Sequence, residues 1–148
     1  MPDANNGGSP QLKVNNFSGN NTQSAIYFII GGIPTDCTIY EATLQLYQTK
    51  NKVSTIEVHR ITGTWSEYGI TWNNSPSIDS TIWASFDGNV TTPVYRSINV
   101  SSLVESWILG TNTNHGFWLM STSGSDEVEF NSRDAAANPP LLSVKWAP

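Results

Sequence analysis

Cysteine is almost missing from this chain. Cys37 stands alone among 148 residues, so no intrachain disulfide can form and cysteine usage says nothing about compartment. Long apolar runs are lacking too. The longest, AIYFIIGGI over residues 25–33, is broken by two glycines and falls far short of the ~20 residues a membrane helix needs. Basic residues are few: seven Lys and Arg stand singly against twelve acids, for a net charge of -5. That excludes the phosphate-backbone footprint of a nucleic-acid binder and disfavours an anionic membrane surface. No basic segment followed by an apolar one precedes Gly7, so an export signal would have to lie upstream.

What is abundant is neutral and polar. Asn, Ser, Thr and Gly dominate over charged residues, which are 13% of the chain, giving a surface of amides and hydroxyls typical of exported β proteins. Sequons at Asn16, Asn20, Asn73, Asn89 and Asn99 suit glycosylation outside the cell, although a composition this rich in Asn, Ser and Thr produces several by chance. The length fits one domain spanning 1–148, able to bury about two thirds of its unfolded surface without a metal or disulfide staple.

Short β-type runs with turn residues between them predict an all-β sandwich or barrel. Strands are expected at 11–15, 24–30, 38–49, 55–61, 94–100, 116–121, 127–132 and 141–146. In ATLQLYQT the alternation sets Leu44 and Leu46 on one face and Gln45 and Tyr47 on the other. One segment has a different period: VSSLVESWILG places Leu103, Val104, Trp107 and Ile108 at helical spacing, with Ser101 or Ser102 as cap and Gly110 as stop. It predicts a single short helix closing an end of the sandwich.

The stretch EYGITWNNSP, from Glu67 to Pro76, gathers two aromatics, one acid, two asparagines and a proline in ten residues. Trp65 and Trp72 are large enough to pack beneath a loop, Glu67 can accept backbone N–H bonds, and Asn73 can start the turn that Pro76 stiffens. A structural lock is the simpler reading, a ligand site the competing one.

Five blocks, FIIGGIPTDCTIYEATLQLY, WSEYGITWNNSP, INVSSLVESWILG, HGFWLMS and EVEFNSRDAAANPPLL, occur in the order found in the DNRLRE-type domain. The whole chain most resembles the disaggregatase-related repeats of methanogenic archaeal surface proteins. That resemblance implies an antiparallel β-sandwich of jelly-roll type, non-catalytic, extracellular and part of a multidomain protein. Some relatives bind acidic polysaccharides such as alginate. It also implies that Trp65, Glu67, Thr71, Trp72 and Asn73 form a loop signature, and that Arg133 belongs to the penultimate strand and pairs with an acid. Two departures stand out. Related domains carry one more strand ahead of the NNGG loop, and where they read Phe-Asp-hydrophobic-Ser this chain has Phe28-Ile29-Ile30-Gly31. A sandwich lacking an edge strand invites one from another chain: either that strand is clipped from this sequence or a neighbour fills the gap, and in the second case a filament or sheath subunit assembled by strand donation from neighbouring copies is the alternative function.

Enzyme chemistry finds little support. His59 and His115 have no neighbouring nucleophile to activate, and no pair among Glu57, Glu67, Glu105 and Glu129 is singled out for glycoside hydrolysis. No cofactor is firmly implied: one Cys and two distant His make zinc a poor fit, whereas Asp3, Asn5 and Asn6 offer oxygen ligands to a structural calcium, against the plainer reading of a solvated loop. Sugar binding is the function whose requirements the composition meets: aromatic faces for pyranose rings, amides and a few cations for hydroxyls or carboxylates. Trp118, Tyr95 and Trp83 are the aromatics least committed to the core, Trp118 because it alternates with Phe117 and Leu119. Arg96 beside Tyr95, and His59 with Arg60, would supply the polar rim. At each position the alternative is an extension of the core. Less expected is a polysaccharide-degrading enzyme.

Overall fold

A computed structural model describes residues 4–17, 20–122 and 127–148. Among them, in chain order, run β1 (Gln11–Phe17), β2 (Asn20–Thr22), β3 (Ser24–Ile26), β4 (Thr38–Lys50), β5 (Thr55–Arg60), β6 (Ala84–Asp87), β7 (Val94–Asn99), α1 (Ser101–Ile108), β8 (Phe117–Ser121), β9 (Val128–Asn131) and β10 (Leu141–Ala147). Every ladder is antiparallel. One sheet has six strands in the order β10-β4-β9-β1-β2, with β7 also paired to β4; the other has four in the order β3-β8-β5-β6. The result is an all-β sandwich with one helix, as the strand runs and the one helical stretch predict, and of the jelly-roll type that the family resemblance implies.

Period-two alternation builds the core. On β4 it sends Ala42, Leu44, Leu46 and Gln48 inward, and the three apolar ones meet Ile56 and Val58 of β5 and Phe117 and Leu119 of β8 in one cluster. A buried aliphatic or aromatic side chain of this kind contributes about 1.5–3 kcal/mol by leaving water. Helix α1 closes one end by burying Leu103, Val104, Trp107 and Ile108, with the Trp107 ring 4.9 Å from that of Phe117.

The helix start differs from expectation. Ser101 is the first helical residue rather than the cap, and the residue before it, Val100, has no capping side chain. Asn99 Oδ1 does that work, accepting from Ser101 N at 3.0 Å and Ser101 Oγ at 2.6 Å, an Asx turn that frees the serine hydroxyl to accept from Ala42 N at 2.9 Å. At the other end Gly110 stops the helix with φ of 81°, a left-handed conformation that glycine adopts without penalty.

Each of the eight expected runs carries a strand, and two strands escape the sequence pattern. β2 is NNT, with no apolar residue to signal it, and is held by pairing with Asn15, Asn16 and Phe17. β6 is ASFD, where only Ala84 and Phe86 alternate. A third difference matters more: the run expected to reach residue 30 forms a ladder only as far as Ile26.

Candidate functional site

The connection from β5 to β6 is the longest irregular segment, and its base is a short extension of the sheet. Ile61 bridges Ile78, Thr62 N donates to Ser77 O at 2.8 Å and Asp79 N to Arg60 O at 2.8 Å. Beyond this base the tip carries the EYGITWNNSP stretch. Asn74 organises it. The Asn74 amide donates to Gly69 O at 2.6 Å, and its oxygen accepts from Thr71 Oγ1 at 2.8 Å and from Thr71 N. Two adjacent asparagines offer the same turn chemistry, so spacing alone could not choose between them.

Four contacts fix the tip to the sandwich. The Trp65 indole N–H donates to His115 O at 2.6 Å. Asn5 Nδ2 donates to Glu67 O at 2.9 Å and Ile70 O at 2.6 Å, while Asn5 Oδ1 accepts from Gly7 N at 3.0 Å. Arg133 Nη2 lies 2.7 Å from Glu67 Oε2, and this bond, then the charge of the carboxylate, raises the Arg133 guanidinium above its ordinary value. Glu67 Oε1 is buried without a hydrogen-bond partner. Gly7 packs so closely that a Cβ there would sit 2.2 Å from Glu67 O. Trp72 departs from expectation: it does not pack beneath the loop but stands 51% exposed.

Beside this tip runs an open groove of about 1380 Å³. It is lined by Trp65, Glu67 and Trp72 of the tip and by β3 and residues after it, including Tyr27 and Ile29. Arg133 and Lys13 lie along it. Lys13 Nζ stands 3.7 Å from Glu127 Oε1 and 3.8 Å from Glu129 Oε1. Burial, followed by the hydrogen bond and charge of Glu127, pushes the Glu129 carboxyl above its ordinary value, against smaller opposing pulls from Lys13 and Lys50. Folded protein therefore holds this proton more tightly than unfolded chain, so the group's contribution to stability is full below its unfolded value and is lost as pH rises through the folded one. Glu129→Gln is expected to raise the melting temperature at about pH 7 and to give no gain at about pH 3.5. Thermal scans at both values check this; an equal gain at both would rule out the titration.

The residues expected to bind a ligand do not converge. Trp118 points away from Phe117 and Leu119 yet is only 6% exposed; it lines the groove with its indole N–H bonded to Gln23 Oε1 at 2.6 Å. Its ladder neighbour His59 is 4% exposed, with Nε2 bonded to Glu57 Oε1 at 2.7 Å and Nδ1 to Asp79 O at 2.8 Å. Arg60 Nε donates to Asp79 Oδ2 at 3.2 Å. The Asp79 carboxyl is held below its ordinary value, chiefly by the Thr81 backbone N–H. Trp83 packs partly against the core. Tyr95 and Arg96 belong to the other sheet. Tyr95 stacks edgewise on Tyr47, centroids 5.0 Å apart, and its hydroxyl donates to Pro139 O at 3.0 Å. Arg96 turns inward to Gln48 Oε1 at 2.6 Å and Asp87 O at 2.7 Å. Of the oxygen donors considered for calcium, Asp3 lies outside the described residues, Asn5 is engaged as above, and Asn6 lines the groove. Among the described residues no cluster of three or more His, Cys, Asp or Glu could hold a metal ion.

A groove flanked by an exposed tryptophan and an arginine, on an antiparallel sandwich, is a geometry suited to sugar rings. The family model for carbohydrate-binding module family 96 matches residues 1–145. The chain belongs to that family. Carbohydrate-binding modules as a class bind glycans and do not cleave them. No curated protein matches the chain significantly. Among the described residues no helix is long and apolar enough to cross a membrane.

Proposed function

We propose that this family 96 module is a non-catalytic, extracellular binder of acidic polysaccharide, gripping the chain in the groove beside the 64–75 tip. The observation that carries the reading is Trp72, half exposed on a loop that four contacts hold in place. An aromatic face already fixed in position binds without a further ordering cost. Arg133, with its side chain 67% exposed, and Lys13 supply cations for uronate carboxylates or hydroxyls in a chain whose net charge is -5. The exterior location is supported by the amide- and hydroxyl-rich surface and by the likeness of five ordered blocks to surface-protein repeats. One copy binds modestly, and repetition in a longer protein multiplies retention.

Affinity electrophoresis in gels cast with alginate tests it, with a neutral glucan gel for comparison. Truncating a tryptophan anchor costs about 2 kcal/mol, so Trp72→Ala is expected to weaken retention in alginate about thirtyfold while leaving the melting temperature nearly unchanged. Retention kept in Trp72→Ala overturns the groove site. Should Tyr95→Ala lose it instead, the edgewise Tyr47–Tyr95 pair on the outer face of the six-stranded sheet is the platform.

A further inference from the structure

Three charged side chains meet where β1 and the approach to β9 run along the groove. Lys13 and Glu127 line it, and Glu129 is the register partner of Lys13 across the ladder. The Lys13 ammonium lies 3.7 Å from Glu127 Oε1 and 3.8 Å from Glu129 Oε1, its side chain 44% exposed against 21% and 15% for the two acids. The cation is thus the member of the group that a ligand in the groove meets first. Lys50 of β4 is the register partner of Glu129 on its other side, and Asn15 Nδ2 of β1 reaches Glu127 Oε2 at 3.5 Å. Glu127 and Glu129 also hydrogen-bond each other. A bond between two carboxyl groups needs a proton, because two carboxylates offer only acceptors. With that proton in place, Lys13 and the pair sum to zero charge: one ammonium, one carboxylate and one neutral acid. Without it, two carboxylates outweigh the ammonium, and a bound uronate is repelled where the groove offers it a cation.

Resting on the reading of the groove as a site for acidic polysaccharide, we infer that its grip is gated by protons: Glu127 and Glu129 leave Lys13 available to a uronate while they share a proton, and cancel it once both are ionised. Burial, then the hydrogen bond and charge of Glu127, keeps the Glu129 carboxyl above its ordinary value. Uronates are acids of ordinary carboxylate strength, so they stay ionised over the range in which the pair gives up its proton. Retention is therefore strongest below that release and falls as pH rises through it. Proton uptake and glycan binding are linked in both directions, since a uronate favours the protonated pair by as much as the protonated pair favours the uronate. Arg133, whose guanidinium is raised above its ordinary value by Glu67, keeps its charge throughout and leaves a weaker grip at high pH.

Affinity electrophoresis of the whole module in alginate gels between about pH 5 and about pH 8, at constant ionic strength and relative to alginate-free gels, tests it. Wild-type retention is expected to be about threefold stronger at the low end, the scale of one partly exposed charge pair. Glu127→Gln and Glu129→Gln should each lose this dependence and keep, at the high end, the retention that wild type shows at the low end. Glu105→Gln removes the same charge from the exposed face of α1, outside the groove, and should keep the wild-type profile. Calorimetry with alginate oligosaccharides at about pH 7, in two buffers of different ionisation heat, should show proton uptake on binding by wild type and none by the two groove variants. A wild-type profile without slope overturns the inference. So does a slope that survives in both variants, which would assign it to another group such as His115, also in the lining, or one that Glu105→Gln abolishes, which would assign it to net charge. Retention at no pH sinks the glycan reading and this inference with it, whereas retention indifferent to pH sinks the gate alone.

Discussion

Gln48→Ala is expected to destabilise the fold by about 3 kcal/mol, lowering the melting temperature by about 10 °C in a chain of this size. Gln48 is fully buried and ties together two backbone carbonyls and one cation. Its amide nitrogen donates to Gly88 O at 2.8 Å and Lys50 O at 3.2 Å, and its oxygen accepts from Arg96 Nη1 at 2.6 Å. Arg96 also donates to Asp87 O at 2.7 Å, and its guanidinium lies 5.1 Å from the centre of the Phe86 ring. Through this set β4 and β7 of one sheet are joined to β6 and the turn after it in the other. Desolvation lowers the Arg96 guanidinium from its ordinary value, the Asp87 charge opposing. A cation already short of water depends heavily on each remaining acceptor. Removing one partner of such a network costs more than the bond itself, because the other groups stay buried and unpaired. The double variant Gln48→Met with Arg96→Met should consequently lose less than the sum of the two singles, by more than about 1 kcal/mol in urea melts. Strict additivity would mean that the two side chains act independently.

Arg96 also shows how a legible signal can be overlooked. The alternation that placed Leu44 and Leu46 on one face puts Val94, Arg96 and Ile98 together on β7, and Ile98 is core. Applied there, the same rule would have turned Arg96 inward and left Tyr95 outside. Trp118 marks the rule's limit. Alternation rightly sends it away from Phe117 and Leu119, but a strand period says nothing about what covers the outer face, and Gln23 takes the indole N–H across 95 residues of sequence separation. His59 is similar: its partners are Glu57, two residues away, and Asp79, brought back by the β5 to β6 connection. The layers and the helix were readable because they rest on local periodicity. The groove was not, since it arises where a loop tip, the segment after β3 and the residues just after β9 meet. What the sequence did mark was the tip itself, dense in aromatics and amides, though Asn74 and the half-exposed Trp72 differ from the roles first assigned to their neighbourhood.

Gly7→Ala should cost about 2–4 kcal/mol and weaken alginate retention at least tenfold, because one methyl group separates the two halves of the lock. The Cβ would fall 2.2 Å from Glu67 O and 2.8 Å from Glu67 C. Those are backbone atoms, which cannot rotate aside as the end of a long side chain can. Relief requires moving the tip, and the tip is where Asn5 holds Glu67 O and Ile70 O and where Arg133 holds the Glu67 carboxylate. Displacing it breaks bonds on partly buried groups and shifts Trp72 relative to Arg133, so stability and binding should fall together. Gly8→Ala is the matched control. Its Cβ would meet only Tyr68 Cε1 at 3.8 Å, an ordinary contact, and neither melting temperature nor retention should change. Both glycines lie in the same loop and lose the same backbone freedom on substitution, so the entropic effect on the unfolded chain is common to both. Any difference between the two variants therefore reports the contact with Glu67, and indistinguishable behaviour would show that the tip is not anchored through it.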